Sequence, residues 1–393
     1  MCDKIMECSN CCNCKKINCC CHLDFDKLSN VNNNVNIFAS PFIIQQTRQI
    51  RPIQMGVSGG SIKDKIPGGC CGGTLGSLVK KIILGKTNYY ILSNKHVLFG
   101  DIIFGRNNSI SSIGDSIRQP GLIDVNCANI PSDEVAKLSN FSPVYGYNIN
   151  NIIDASIALV IPGKVDLTGS IMGIGKISSI IKLPTFGLSV QKGGRTSGVT
   201  KGKIVGLNVT ILVKYPFECG SANSFTAKFI NQIMIQGINN IAFSKPGDSG
   251  SLIISVPGLG LLPQPVGLLF AGSTEYTFAN PISNVVAQFG VSFVGSNKIT
   301  NKNAQEQIIN LDNLKTNAKY LKITKILCDC SELIETTPHF AGYFIEDLSQ
   351  QDNFTDEFGI VVLVTNNEKK NELPCSIQNI PLRTQIIGTI TVL

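Results

Sequence analysis

A chain of 393 residues, 43% of them hydrophobic and 16% charged, has enough apolar material for two or three packed domains, which excludes a disordered or fibrous protein. The formal charge of +7 is spread without a run of five basic residues or a basic stripe interleaved with aromatics, so no nucleic-acid partner is expected. With 37 glycines, 17 prolines and abundant Ile and Val, short strands joined by tight turns are favoured over helical bundles, and the chain is expected to be mainly β.

Residues 1–22 hold Cys2, Cys8, Cys11, Cys12, Cys14, Cys19, Cys20 and Cys21, with His22 beside them. Three readings stay open: thiolates around a zinc ion or small cluster, a tail that cross-links or docks through its thiols, and an unstructured tail. Adjacent cysteines cannot all face one ion and the spacing is not that of a zinc finger, so no metal is assigned. The first residues lack the basic start and apolar stretch of a secretory signal. A cytoplasmic location follows, in which structural disulfides are not the default. Five asparagines over residues 28–37 read as a linker, so tail and linker are placed at 1–36 and the main globular part at 37–296.

The glycine-rich stretch Lys65–Gly76 leads into an expected strand over 77–84, a short loop and a strand over 89–93, a hairpin that delivers His96. Residues 100–147 mix short strands and polar loops with one helix near 132–138. The run from Asn151 to Val160 sets Asp154 at the mouth of an apolar strand, closing a first barrel over about 68–165. Strands expected at 187–190, 203–213, 229–235, 252–256 and 266–270 form a second antiparallel barrel over about 180–295. The most apolar window, Leu252–Ala271, is broken by Pro257, Gly258, Gly260, Pro263 and Pro265, which predicts two core strands and a loop, with no membrane span.

Between two of those strands, Ser244-Lys-Pro-Gly-Asp-Ser-Gly-Ser251 presents one hydroxyl, Ser249, on a tight turn. Gly247 and Gly250 let the backbone bend sharply and a carbonyl approach closely. The amides of Gly247 and Ser249 are then placed to form an oxyanion hole. A serine hydroxyl needs a base and an orienting group. Of the three histidines, His22, His96 and His339, only His96 lies in an ordered apolar run, and Asp154 is the candidate carboxylate, with Asp124 its nearest rival. Residues 297–315 read as a polar connector. Strands expected at 319–327, 339–345, 359–365 and 382–393, with a short helix over 366–373, make a small α+β module over 297–393. Cys328-Asp-Cys330 is too sparse for a metal site.

The order His96, Asp154, Ser249 and the blocks Ser93-Asn-Lys-His-Val97, Asp154-Ala-Ser-Ile-Ala-Leu159 and Gly247-Asp-Ser-Gly-Ser251 resemble those of trypsin-like serine peptidases. The match is closer to a signal-less bacterial branch related to a plant nuclear trypsin-like peptidase than to digestive enzymes. Arg51–Ser58, Gly193–Thr200 and Val266–Ser273 followed by Ala279–Ile282 extend the resemblance over about residues 48–295.

That resemblance implies two antiparallel, chymotrypsin-like β-barrels with a cleft between them, flanked by the cysteine-rich tail and the small α+β module. It implies serine endopeptidase activity on a polypeptide substrate, without a cofactor. It also puts the specificity pocket at Phe243 and Ser244 and beside Ala271, Gly272 and Ser273, residues 271–273 being the strand edge on which an extended substrate would pair. No acid stands at the pocket base, so a small or apolar side chain next to the cut is expected rather than Lys or Arg. No activation peptide supplies a free amine for Asp248, and Arg195 is the expected cation in its place. The alternative is a catalytically silent protease-like module that binds peptides or assembles through its thiol-rich tail.

Overall fold

Apolar β-branched runs broken by glycine and proline turns fold into 22 strands among the described residues. The computed structural model describes residues 44–66, 69–99, 111–217, 219, 222–296, 325–327, 334–335, 339–347, 358–366, 376–377 and 380–393. The cysteine-rich tail, the asparagine-rich linker, the 297–315 connector, Cys328-Asp-Cys330 and the expected helix after Asn366 lie outside the described residues.

In chain order the first half gives β1 (Val57–Ser61), the hairpin β2 (Lys65–Ile66) and β3 (Gly69–Cys70), then β4 (Gly73–Leu75), β5 (Ser77–Ile83) and β6 (Lys86–Ser93). The one-turn helix α1 (Lys95–Leu98) follows, with β7 (Ser116–Arg118), β8 (Glu134–Phe141), β9 (Asn150–Asn151) and β10 (Ser156–Val160). The second half gives β11 (Ser189–Gly194), β12 (Gly198–Pro216), β13 (Ser224–Gly237), β14 (Leu252–Ser255), β15 (Pro265–Gly272) and β16 (Tyr276–Pro281). After α2 (Ile282–Phe289) come β17 (Ser292–Phe293), β18 (Phe340–Asp347), β19 (Phe358–Val364), β20 (Ser376–Ile377), β21 (Ile380–Ile386) and β22 (Thr391–Val392).

One sheet runs β17-β5-β6-β10-β8-β7-β1-β4. Its inner face buries Val57, Leu75, Leu78, Ile91, Ile117, Leu138 and Ile157. Val285 and Phe289 of α2 and Phe293 of β17 belong to the same core, so the chain returns to the first barrel after completing the second. In the other sheet the path β12-β11-β14-β15-β16-β13 closes on itself, because β12 and β13 also pair. That closed ring is the second barrel, filled by Val190, Ile204, Ile233, Ile235, Phe243, Ile253, Val266 and Leu269. The protein is therefore mainly β, a chymotrypsin-like double barrel.

β12 is 19 residues long and β13 14, more than a small barrel uses. Register shifts interrupt their pairing between Ile204 and Ile211, with Asn208 and Asn231 in the left-handed region, as bulges require. Beyond the bulges the strands continue as a ribbon whose alternation buries Ile211, Val213 and Tyr215 while Lys214 faces solvent. β18 pairs with β12 on this ribbon, and β19, β21 and β20 follow outward.

Several expectations are corrected. The helix expected near 132–138 is a short 3-10 turn, Pro131–Asp133, followed by β8; Val135, Ala136 and Leu138 are buried in a strand held between β10 and β7, too short an apolar pattern to be helical. Within the strand expected over 319–327, Lys325–Leu327 is helical. The strand expected over 382–393 is broken, since Gly388 turns the chain with φ +72° and β22 joins different neighbours from β21. Structural disulfides are present: Cys70 joins Cys127 and Cys71 joins Cys219. Adjacent residues of an extended chain face opposite ways, so the Cys70-Cys71 pair reaches two different partners. The apolar 252–271 window resolves into β14 and β15, and among the described residues no helix is long and apolar enough to cross a membrane.

Candidate active site

β6 and β10 pair antiparallel with Ser93 opposite Ser156, which brings the loop after β6 beside the residues before β10. Asn94 Nδ2 donates to the Asp154 carbonyl at 2.7 Å, and Ser156 Oγ donates to the Asn94 carbonyl at 2.9 Å. Helix α1 starts at once, so His96 turns back over Asp154. The result is a His96 Nδ1 to Asp154 Oδ2 distance of 2.6 Å.

Asp154 is fully buried, and a carboxylate there is tolerable only if its lone pairs are satisfied. The Lys95 amide donates to Oδ1 at 2.7 Å, and the Tyr215 hydroxyl donates to Oδ2 at 2.8 Å. Burial pushes the Asp154 carboxyl up, but the His96 imidazole, the Tyr215 hydroxyl and the Lys95 cation together hold it below the usual carboxylate value. Burial and the neighbouring carboxylate push the Tyr215 hydroxyl well above its usual value, so it stays a donor. With Nδ1–H given to Asp154, Nε2 of His96 is an acceptor. It is buried and has no hydrogen-bond partner among the described residues.

The Ser249 turn is held against the first barrel by β4. The Thr74 amide donates to the Ser249 carbonyl at 2.8 Å, and Thr74 Oγ1 donates to the Gly247 carbonyl at 3.0 Å. Gly247 and Gly250 have φ of +97° and +90°, and a Cβ on Gly250 would strike the Ser93 hydroxyl and the Thr74 carbonyl. Only glycine fits there. Neither the Gly247 nor the Ser249 amide donates to a partner among the described residues. Ser249 has 0% exposure, and its Oγ donates to the Phe270 carbonyl at 3.2 Å. His96 and Asp154 are thus brought into contact, whereas the Ser249 hydroxyl is bonded to β15 and not to His96.

The cation beside Asp248 is Lys192, not Arg195. Lys192 Nζ lies 3.0 Å from Asp248 Oδ2, and the Thr196 and Ser197 amides donate to Oδ1 at 2.9 and 3.0 Å. Arg195 instead makes a two-pronged pair with Asp124, at 2.8 Å from Nε and 2.5 Å from the terminal nitrogen, and Ser58 Oγ completes that group. Asp124 therefore has its own partners and does not contact His96.

The expected pocket residues gather at one end of the second barrel. Phe243 is buried in its core, its carbonyl accepting from Thr200 Oγ1 at 2.6 Å, and Ser244 Oγ is 2.5 Å from Thr277 Oγ1. Ala271 and Gly272 pair with Val392 and Thr391 of β22, and the Ser273 amide donates to the Tyr276 carbonyl at 2.8 Å. A cavity of about 280 Å³ is lined in part by His96, Arg195, Tyr215, Gly247, Val392 and Leu393, and none of Phe243, Ser244, Ala271, Gly272 or Ser273 lines it, because β22 pairs along Ala271 and Gly272. Asp64, Cys71 and Cys219 also meet here, but the Cys71–Cys219 disulfide leaves no thiolate for a metal.

Tyr215, Lys192, Asn94 and Thr74 were not singled out from the sequence. Lys192 carried a usable signal: with β11 alternating, Val190, Lys192 and Gly194 share the buried face. Tyr215 carried none, because its role depends on how far β12 extends past the barrel.

Fold and cleft together define a chymotrypsin-like double β-barrel. Residues 151–280 match the Nal1 C-terminal domain. Protein NARROW LEAF 1 of Oryza sativa subsp. japonica is 31% identical over 116 residues, which cover 28% of this chain and 18% of the rice protein. The matched region thus spans under a fifth of that relative. Among solved structures, a glutamic acid specific serine protease aligns with 61% of this chain and 100% of its own at 17% identity and a TM-score of 0.39. Cellulomonas bogoriensis chymotrypsin aligns with 62% of this chain and 98% of its own at 16% identity and a TM-score of 0.38.

Proposed function

We propose that the chain is a serine endopeptidase acting on polypeptides through an acyl-enzyme, with residues 37–296 as its catalytic part and residues 297–393 as an added module. The observation that carries this reading is the His96–Asp154 contact of 2.6 Å with an unpartnered, buried Nε2. A buried imidazole acceptor without a partner is costly in a purely structural site and is what a general base requires.

In this reading Ser249 Oγ rotates from the Phe270 carbonyl toward His96, attacks the scissile carbonyl and transfers its proton to Nε2. Asp154 holds the tautomer and stabilises the imidazolium that forms. The Gly247 and Ser249 amides bind the oxyanion. His96 then protonates the leaving amine, and water, activated by the same nitrogen, releases the acyl group. The Lys192–Asp248 pair keeps the turn preformed, so no newly freed amine is needed. The two disulfides favour an oxidising compartment over the cytoplasm.

The silent binding-module alternative draws on one observation, the Ser249 hydroxyl bonded to Phe270 and closed to solvent. A fluorophosphonate probe separates the two. Labelling at Ser249 that is lost in Ser249→Ala and His96→Ala supports the peptidase; no labelling of a well-folded protein, either as the parent or with residues 390–393 removed, supports the module.

A further inference from the structure

The last residues of the chain lie in the cleft as a bound peptide would. β22 runs antiparallel to β15, with Val392 opposite Ala271 and Thr391 opposite Gly272. Its other edge runs parallel to β12 at Lys214, whose amide donates to the Ile390 carbonyl at 3.0 Å. One residue further, the Leu393 amide donates to the Phe270 carbonyl at 3.3 Å. The Ser249 hydroxyl donates to that same carbonyl. The segment therefore advances along the 271–272 edge toward the serine, and Leu393 is the residue nearest to it in register.

The side chains fit that placement. Leu393 packs against the apolar cluster that contains Phe243, Val190 and Val266. A Cβ added to Gly272 would lie 2.7 Å from Leu393 Cδ1, so the glycine leaves the room that the leucine fills. Ile390 is buried, Thr391 exposed, and Val392 half-buried against the ribbon cluster of Tyr215 and Phe270. Ile390 and Val392 thus face the ribbon cluster and Leu393 the barrel cluster, as on a strand added to a sheet edge, where backbone bonds hold it and pockets on alternate sides select its side chains.

Resting on the peptidase reading, we propose that the cleft takes an extended apolar segment with leucine on the acyl side of the cleaved bond, and that residues 390–393 occupy it, covering Ser249 until they leave. The substrate class is thus a polypeptide presenting Ile-x-Val-Leu or a close apolar equivalent. Acidic or basic residues in the leucine position are excluded by the apolar wall.

The test uses the full chain carrying Leu393→Asp, which puts a charge into the apolar subsite, with Leu393→Ala as a second variant that keeps the backbone pairing. Fluorophosphonate labelling of Ser249 should be about tenfold faster or more in Leu393→Asp than in the parent, because a tethered occupant competes at high effective concentration. The free peptide Gly-Thr-Ile-Thr-Val-Leu should slow it again. Variant and parent labelling at one rate, with unchanged near-ultraviolet circular dichroism, overturns the proposal.

Binding of the fluorescein-labelled hexapeptide to Ser249→Ala/Leu393→Asp is read separately by anisotropy. Should Leu393→Asp not fold, Leu393→Ala takes its place in both measurements. Peptide binding without labelling of any form would sink the peptidase reading and keep the subsite. Labelling without peptide binding would do the reverse.

Discussion

Lys192 Nζ stands 3.0 Å from Asp248 Oδ2, and both side chains have 0% exposure. Burial lowers the Lys192 pKa, and the Asp248 carboxylate raises it back in part. Removing one member of such a pair strands the other, which costs about 3–5 kcal/mol. Lys192→Met should lose stability on that scale in urea unfolding and also lose Ser249 labelling, because Asp248 shapes the turn. Lys192→Arg should restore part of the labelling, a readout that a merely structural lysine would not move.

Tyr215 links acid stability to the candidate base. The folded Asp154 pKa lies below its unfolded value of about 3.9, so the unfolded state binds more protons as the solution is acidified. The resulting stability is fully present above about pH 4 and is lost as pH falls through the folded pKa. The Tyr215 hydroxyl is one of the groups that lowers that pKa. Tyr215→Phe should therefore cost about 1–3 kcal/mol at neutral pH and shift the acid loss of stability to higher pH. Urea midpoints measured from pH 2 to 6 check it.

The Arg195–Asp124 pair predicts an unequal pattern of coupling. Each side chain is about nine-tenths covered, at 11% and 8% exposure. Arg195→Leu and Asp124→Asn should each destabilise by about 1–3 kcal/mol. Combined, they should show a coupling of about 0.5–3 kcal/mol. Arg195→Leu with Lys192→Met should instead be near-additive. A double-mutant cycle by chemical denaturation reads both, and a large Arg195–Lys192 coupling would return Arg195 to the Asp248 site.

The Cys71–Cys219 bridge joins residues 148 apart in sequence. It ties the segment before β4 to the turn between β12 and β13, on the wall of the cleft. Paired replacement by serine should cost about 2–4 kcal/mol. Thermal melting with and without reductant checks this, and a melting temperature insensitive to reductant would argue for free thiols.

His96 and Asp154 were legible in the sequence because each sits within one contiguous block, at the end of a strand whose apolar run announces it. Five of the six strands of the second barrel were legible for the same reason, glycine and proline marking their ends, whereas β16 (Tyr276–Pro281) was not expected. What stayed hidden depends on partners far along the chain. Arg195 looked suited to Asp248 by its place in a glycine-rich segment, yet it lies past the end of β11, where it reaches Asp124, while strand alternation directs Lys192 inward. β12 runs past the expected 203–213 at both ends, from Gly198, where it pairs with Gly194 of β11, to Pro216. The terminal strand could be read as β, but nothing in its composition says which edge it joins.

Chain order also sets a timetable for synthesis. Every strand of the closed ring, and every side chain bonded to Asp154 or Asp248, precedes residue 282, whereas β22 consists of residues 391–392. A ribosome making this protein finishes the ring first and delivers the occupying strand on the order of 10 s later. During that interval the 271–272 edge is unpaired, and the nascent chain itself is the polypeptide most concentrated around it.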